Sequence, residues 1–251
     1  MFAFALYKAY HLGTGIYQGA FKPDIIASVP AKEFANEGRL GAIIDNLCGQ
    51  YHIETVLTTQ IQIDVTEETL TVIPEGVGSY LYMTKCQTPD SRQQLDLERG
   101  RWGVFDGGYL TGDWCEFLDG VFVADSSDSD EHLGMINVSQ RLADYIRGQG
   151  GPSVSAAYVD ELVNQDFIKI NDVPYDVREA YHEAMSELGN RIARFIERKG
   201  AGKDFAGILL TGGNMRRQAD FIVLPRLPKP LVCIEPGNGN LLGSLELLEP
   251  G

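Results

Sequence analysis

Apolar positions along the chain fall into short continuous runs separated by stretches with helical spacing, the pattern of strands alternating with helices. Leu6, Tyr10 and Leu12 share one face of a helix predicted over residues 3–12. The run from Ile25 to Val29, stopped by Pro30, predicts a buried strand. Helical spacing returns over 33–49 through Phe34, Leu40, Ile43, Ile44 and Leu47. TVLTTQIQIDV alternates apolar and polar residues and predicts one or two strands. Leu70 to Ile73 predicts another, followed by a proline turn and a short helix. The polar segment 87–100 has no sustained apolar period and predicts a loop between two halves.

The second half opens on three strand-like runs, WGVFD, WCEFLDG and GVFVAD, spaced as a meander with turns near Gly107–Gly112 and Asp119–Gly120. SSDSDE, residues 126–131, predicts a solvated acidic loop. A helix follows, with Ile136, Leu142, Tyr145 and Ile146 in period, and QGGP at 149–152 breaks the chain. The clearest amphipathic helix runs over 177–200 and ends in Arg198, Lys199 and Gly200, the residues a helix C-terminus favours. Ile208 to Leu210 then form an apolar strand running into TGGNM, and a last strand, a Gly-Asn turn and a terminal helix complete the chain. The βα order gives an α/β class.

The 251 residues allow one large domain or two modest ones, and 44% hydrophobic residues suffice for an ordinary core. No run approaches the ~20 apolar residues of a membrane span. The N-terminal stretch lacks the basic region and cleavage site of a signal peptide. Cys48, Cys86, Cys115 and Cys233 show no metal spacing and predict buried thiols in a reducing cytoplasm. A net charge of −14 argues against direct grip on nucleic acid or an anionic membrane, so any link to nucleic acid passes through a basic partner.

The candidate chemistry lies in two glycine turns. In GVFDGGYLTGDW, residues 103–114, a buried strand runs into paired glycines flanked by carboxylates. Gly107 and Gly108 permit a sharp turn with uncovered amides, and a row of bare amides binds phosphate oxygens. Thr111 adds a hydroxyl. Asp106 stands at the strand end, placed to hold a hydrated Mg²⁺ or orient a water, and Asp113 is placed to brace the turn. A plain hairpin also uses such glycines. The second turn, at 211–215, likewise follows a buried strand and opens a helix, a geometry that presents amides to a ligand. Together they suggest two walls of a nucleotide cleft.

Other chemistry has little support. His11, His52, His132 and His182 form no metal-binding pair. Asp125, Asp128, Asp130 and Glu131 lack the glycine and terminal glutamate of a calcium loop, and Ser126 and Ser139 lack a nucleophile elbow. Arg191, Arg194, Arg198 and Lys199 make a basic patch that compensates a helix dipole or serves as a filament contact.

The spacing D-x-G-x-x-T-x-D at Asp106, Gly108, Thr111 and Asp113 resembles the second phosphate loop of the actin, chaperone and sugar-kinase superfamily. Leu209-Leu210-Thr211-Gly212-Gly213 resembles its adenosine motif. FALYKAYHLGTGIYQGAFKPDIIASVPAKEF and LTVIPEGVGSYLYM resemble segments of the ParM or StbA group of plasmid-segregating bacterial actins. The resemblance covers most of the chain.

It implies an actin-like ATPase fold, with ribonuclease H-like lobes around a nucleotide cleft: residues 1–99 as the remainder of a first lobe, 100–251 as the second. It implies ATP or ADP with Mg²⁺ as cofactors. Gly107, Gly108 and Tyr109 amides would contact the phosphates, with Thr111 supporting their loop. Asp106 would act through water on Mg²⁺ or on the attacking water, from a solvent-facing position that contributes little packing. Gly212, Gly213 and Asn214 would lie along the adenosine, and Gly134 near the ribose or phosphates. The family also carries a first phosphate loop on an N-terminal hairpin; here the sequence opens on a helix and GTG at 13–15 follows no strand, so the first lobe is expected to be incomplete.

The function implied is a cytoplasmic, filament-forming ATPase in plasmid or DNA segregation, self-associating head to tail and working through an adaptor protein bound to DNA. The alternative is a degenerate actin-like scaffold or binding module whose nucleotide site has decayed, without ATPase activity. A small-molecule kinase of the same superfamily is disfavoured by the flanking segments.

Overall fold

The structure, a computed structural model, describes residues 20–54, 60–85, 96–162, 167–233 and 239–245. The helix expected over 3–12, the GTG segment and most of the loop expected over 87–100 lie outside the described residues. The chain divides into two compact units. Unit 1 comprises Met1–Val29 and Glu33–Ile73; unit 2 comprises Pro30–Lys32 and Pro74–Gly251.

Unit 1 is built on short strands: β1 (Ala20–Phe21), β2 (Ile25–Val29), β3 (Gly49–Glu54), β4 (Gln60–Val65) and β5 (Leu70–Pro74). Their helical partners are α1 (Ala31–Phe34), whose first residues belong to unit 2, and α2 (Glu37–Leu47). β4 lies between β1, parallel to it, and β3, antiparallel to it, while β2 pairs with β5. The period-two pattern of β4 explains its place: Ile63 and Val65 are buried with Leu70, while Gln62 and Asp64 lie on the other face. α2 starts where Asn36 accepts the Arg39 N–H at 3.1 Å, as an N-cap does.

Unit 2 holds α3 (Val77–Lys85), β6 (Arg101–Gly107), β7 (Gly112–Leu118), β8 (Val121–Phe122), β9 (Asp128–Asp130), α4 (Ile136–Gly148) and α5 (Ala156–Leu162). The hairpin β10 (Phe167–Ile170) and β11 (Val173–Asp176) precedes the long helix α6 (Arg178–Gly200). β12 (Gly207–Thr211), α7 (Met215–Gln218), β13 (Leu231–Val232) and α8 (Gly239–Leu245) follow. The central sheet runs β13-β12-β6-β7-β8, with β9 on β7. β13, β12 and β6 are parallel; β7 is antiparallel to β6.

This sheet is covered on both faces, which is why β6 and β12 read as continuous apolar runs. Phe105, Trp114, Ile208 and Leu210 face one core with α4 and α6; Trp102, Val104, Cys115, Phe117 and Leu209 face the other with α3. α6 buries Met185, Leu188, Ile192 and Ile196 in one stripe.

Two expectations are corrected here. Residues 128–130 are not a solvated loop: they form β9, and Asp128 is paired with Lys199 at 2.7 Å. The third meander strand stops at Phe122, because Ala124–Ser126 turn into a 3-10 helix. The sequence pattern does not predict the β10–β11 hairpin, since PSVSAAYVDELVNQDFIKINDVPYD offers only four apolar-alternating residues before Asn171 and Asp172 turn the chain at positive φ. No helix among the described residues is long and apolar enough to cross a membrane.

Candidate functional site

β6 and β12 are parallel neighbours in which Thr211 pairs with Asp106, so both strands leave the sheet at the same end. Each then enters a glycine turn, and the turns meet. Gly212 adopts φ +102°, and a Cβ there would overlap Asp106 Oδ1 and stand 2.6 Å from Gly107 O and 2.7 Å from Gly107 N. Only a residue without a side chain permits that approach in that conformation. Asn214 N–H reaches toward the Gly107 carbonyl at 3.4 Å. Gly213, by contrast, opens onto empty space.

The expectation of a row of bare amides is corrected in part. Gly108 N–H donates to the Thr111 carbonyl at 3.0 Å, closing the hairpin turn. The turn's carbonyls are engaged as well, because Gly108 O accepts Met135 N–H at 3.2 Å and Tyr109 O accepts Ile136 N–H at 2.8 Å. The first amides of α4 therefore cap the turn. Gly134 lies where this crossing is tightest: a Cβ would overlap the Leu110 carbonyl and stand 2.6 Å from Tyr109 O. Among the described residues, the N–H groups of Tyr109 and Leu110 have no hydrogen-bond partner.

Behind the turns lies a polar layer. Arg217 bonds Asn214 and reaches Asp160 at 3.4 Å. The Tyr109 hydroxyl is enclosed beside Ser139 without a well-formed hydrogen bond, and burial pushes its ionisation up. Gln218, only 1% exposed, carries an Oε1 with no partner among the described residues, directed at Gly107.

Carboxylates gather at the same strand ends. Asp106 is 6% exposed, which corrects its expected solvent-facing position: Gly212 and the opposing turn cover it. Asp113 is fully enclosed. Its Oδ2 accepts the Thr111 hydroxyl at 2.8 Å, and its Oδ1 accepts Ala31 N–H at 3.1 Å and the Ser129 hydroxyl. Glu75 completes the group. Burial, then the charges of Asp113 and Asp106, then a hydrogen bond to Asp113, raise its pKa from 4.5 to about 8. Among the described residues, no three metal-ligating side chains form a closed metal cage.

No protein-family model and no curated protein matches the sequence. Solved structures do. A ParM filament of 15 strands from Clostridium botulinum superposes with TM-score 0.74 at 19% identity, over 97% of this chain and 72% of that one. The archaeal actin homologue Ta0583 in complex with ADP gives TM-score 0.71 at 19% identity, over 98% and 76%. Bacillus thuringiensis ParM with ATP gives 0.66 at 14%, over 98% and 73%.

The fold is that of the ParM-type actins. Within this actin-like fold, the residues singled out in sequence fall in one place: Asp106 to Tyr109, Thr111, Gly134 and Gly212 to Asn214 all border the paired turns. Sequence reading missed Glu75, Gln218 and Ser79, whose hydroxyl bonds Thr211 at 2.6 Å. Glu75 had one available signal, a carboxylate immediately after the buried strand β5 and its proline. Gln218 had none, since a glutamine in a four-residue helix reads as surface.

The actin-like chain should show the Glu75 coupling in its stability. A carboxyl with a raised folded pKa holds a proton that the unfolded chain releases, so stability falls as pH rises from about 4.5 to about 8. Glu75→Gln keeps the shape and a donor to Asp113 but does not titrate. Relative to the parent, the variant should gain about 1–2 kcal/mol between pH 5 and pH 8, less than the full linkage value because solvent and structural relaxation soften it. Urea denaturation at the two pH values measures this. Parallel pH profiles for both proteins would remove Glu75 from the cluster.

Proposed function

We propose that this chain is an actin-like nucleotide-binding protein that takes ATP or ADP with Mg²⁺ and self-associates into filaments in plasmid or DNA segregation. The observation that carries the reading is the contact of the two glycine turns at the common exit of β6 and β12, with Asp106 beneath them. Structural neighbours support it: they include an ADP complex, an ATP complex and a filament. The phosphates would lie along Gly107 to Tyr109, with Thr111 bracing the loop. The nucleoside would run along Gly212, Gly213 and Asn214, with Gly134 close by. Residues 1–99 and 100–251 are read as the two lobes of such a protein, in the cytoplasm and with an adaptor bound to DNA as partner.

In the catalytic form, Mg²⁺ when bound would neutralise charge on the phosphates. Asp106 would hold its hydration water and orient the attacking one, so positioning and electrostatics would drive an in-line displacement. Glu75, protonated near neutral pH, would offer a donor beside Asp106 and Asp113. Assembly would be head to tail, since such contacts need not close.

A second reading, a scaffold without ATPase activity, is favoured by the Gly108 amide and the first amides of α4, which already serve the protein's own turn. Calorimetry with Mg-ATP, paired with phosphate release and light scattering, separates the two. Micromolar binding with phosphate release and nucleotide-dependent scattering is the expected result. Binding without release, or no binding at millimolar Mg-ATP, selects the scaffold and sinks the ATPase reading.

A further inference from the structure

The backbone passes between the two units at three points, Val29 to Pro30, Lys32 to Glu33, and Ile73 to Pro74. The short segment 30–32 and the segment beginning at Pro74 are the places where unit 2 receives the chain. Both are fastened to the same strand, β7. Asp113 accepts Ala31 N–H at 3.1 Å, and the Ser129 hydroxyl that bonds Asp113 also accepts Lys32 N–H at 3.1 Å. Two residues further along, Cys115 Sγ donates to the Glu75 carbonyl at 2.9 Å. Gly76, at φ +93°, lies against Cys115 and Val104. Ala31 is fully buried and Asp113 is 1% exposed, so neither has water as a substitute partner.

We propose that Asp113 is a positioning residue that relays the state of the β6–β7 turn to the connections between the units, through the Thr111 hydroxyl. The relay has a simple physical basis. Thr111 has one hydroxyl proton, and it now goes to Asp113 Oδ2 at 2.8 Å. An anion held by the turn competes for that proton. When the hydroxyl turns to the anion, Asp113 loses a donor in a site without water, and its carboxylate draws harder on Ala31 N–H and Ser129. Ligand at the turn is thereby felt at residues 30–32, which are some eighty positions away in sequence.

The anion in this argument is the nucleotide phosphate of the proposed function, so the ligand arm of the inference rests on that reading. The structural arm does not. Hydrogen exchange at the Ala31 and Lys32 amides tests it in the ligand-free protein. Thr111→Val keeps the volume and removes the hydroxyl; it should change exchange at both amides by about threefold to tenfold, the worth of one hydrogen bond. Ile208 to Leu210 in the core strand β12 should stay within twofold, which a general loss of stability would not allow. Asp113→Asn, whose amide mismatches the Thr111 and Ser129 hydroxyls, should move the same two amides. Mg-ATP should then shift them in the parent and leave them still in Thr111→Val. Unchanged Ala31 and Lys32 exchange in both variants overturns the relay. A relay present without ligand, together with no Mg-ATP binding by calorimetry, upholds Asp113 as the link and removes the nucleotide reading alone.

Discussion

Gly212→Ala is expected to lower stability by about 3–4 kcal/mol and to weaken Mg-ATP binding by more than tenfold. Two costs add at this position. The backbone is left-handed, at φ +102°, where an L side chain is strained. The new methyl would also press on Asp106 Oδ1 and on the Gly107 backbone, 2.6 Å from its oxygen and 2.7 Å from its nitrogen. Backbone cannot rotate aside as a long side chain can. The ends of β6 and β12 must therefore part, and the Asp106–Thr211 register is lost with the proposed nucleotide walls. For a chain of this size the melting temperature should fall by about 6–15 °C. Gly213→Ala is the comparison: its Cβ meets nothing within 4 Å and its φ is not positive, so the melting point should hardly move. Equal thermal melts for Gly212→Ala and the parent would mean the turns do not touch.

Asp106→Ala is expected, on the proposed function, to abolish Mg-ATP hydrolysis, a loss of at least ~100-fold, by removing the carboxylate proposed to order water and Mg²⁺. Because Asp106 is buried, alanine also leaves a void, so Asp106→Asn is the cleaner variant, with the same volume and no charge. Its melting point should stay within a few degrees of the parent while hydrolysis disappears, and ATP affinity should lose its dependence on Mg²⁺. A second consequence follows from electrostatics. Glu75 feels the Asp106 charge, so removing it lets the Glu75 proton leave at lower pH, and the upper end of the pH window over which stability falls, about 8 in the parent, moves down. Hydrolysis at the parent rate in either variant would take Asp106 out of the chemistry.

Two local patterns made much of this readable beforehand. Apolar runs into paired glycines located β6 and β12, because a strand covered on both faces needs unbroken apolar residues and a tight exit needs glycine. The helical period located α6 for the same reason: Met185, Leu188, Ile192 and Ile196 must share a face to be buried together. Other features escaped because they depend on distant partners. The acidic stretch at 126–131 read as a solvated loop, yet it became β9 once β7 offered an open edge and Lys199 a counter-charge. Asp106 read as exposed because burial of a carboxylate is invisible until the opposing turn is placed on it.

What the sequence determined alone is most of the strands and helices, the two glycine turns and the types of chemical group at their strand exits, since these depend on neighbours within a few residues. The parallel register that set Asp106 beside Thr211 came only from the tertiary structure. So did the use of Gly108 and the α4 amides within the turn, and the gathering of Glu75, Asp113 and Ala31 from three separate stretches. Long-range contacts decide which polar groups lose water, and losing water is what gives a carboxylate or an amide its partner and its proton.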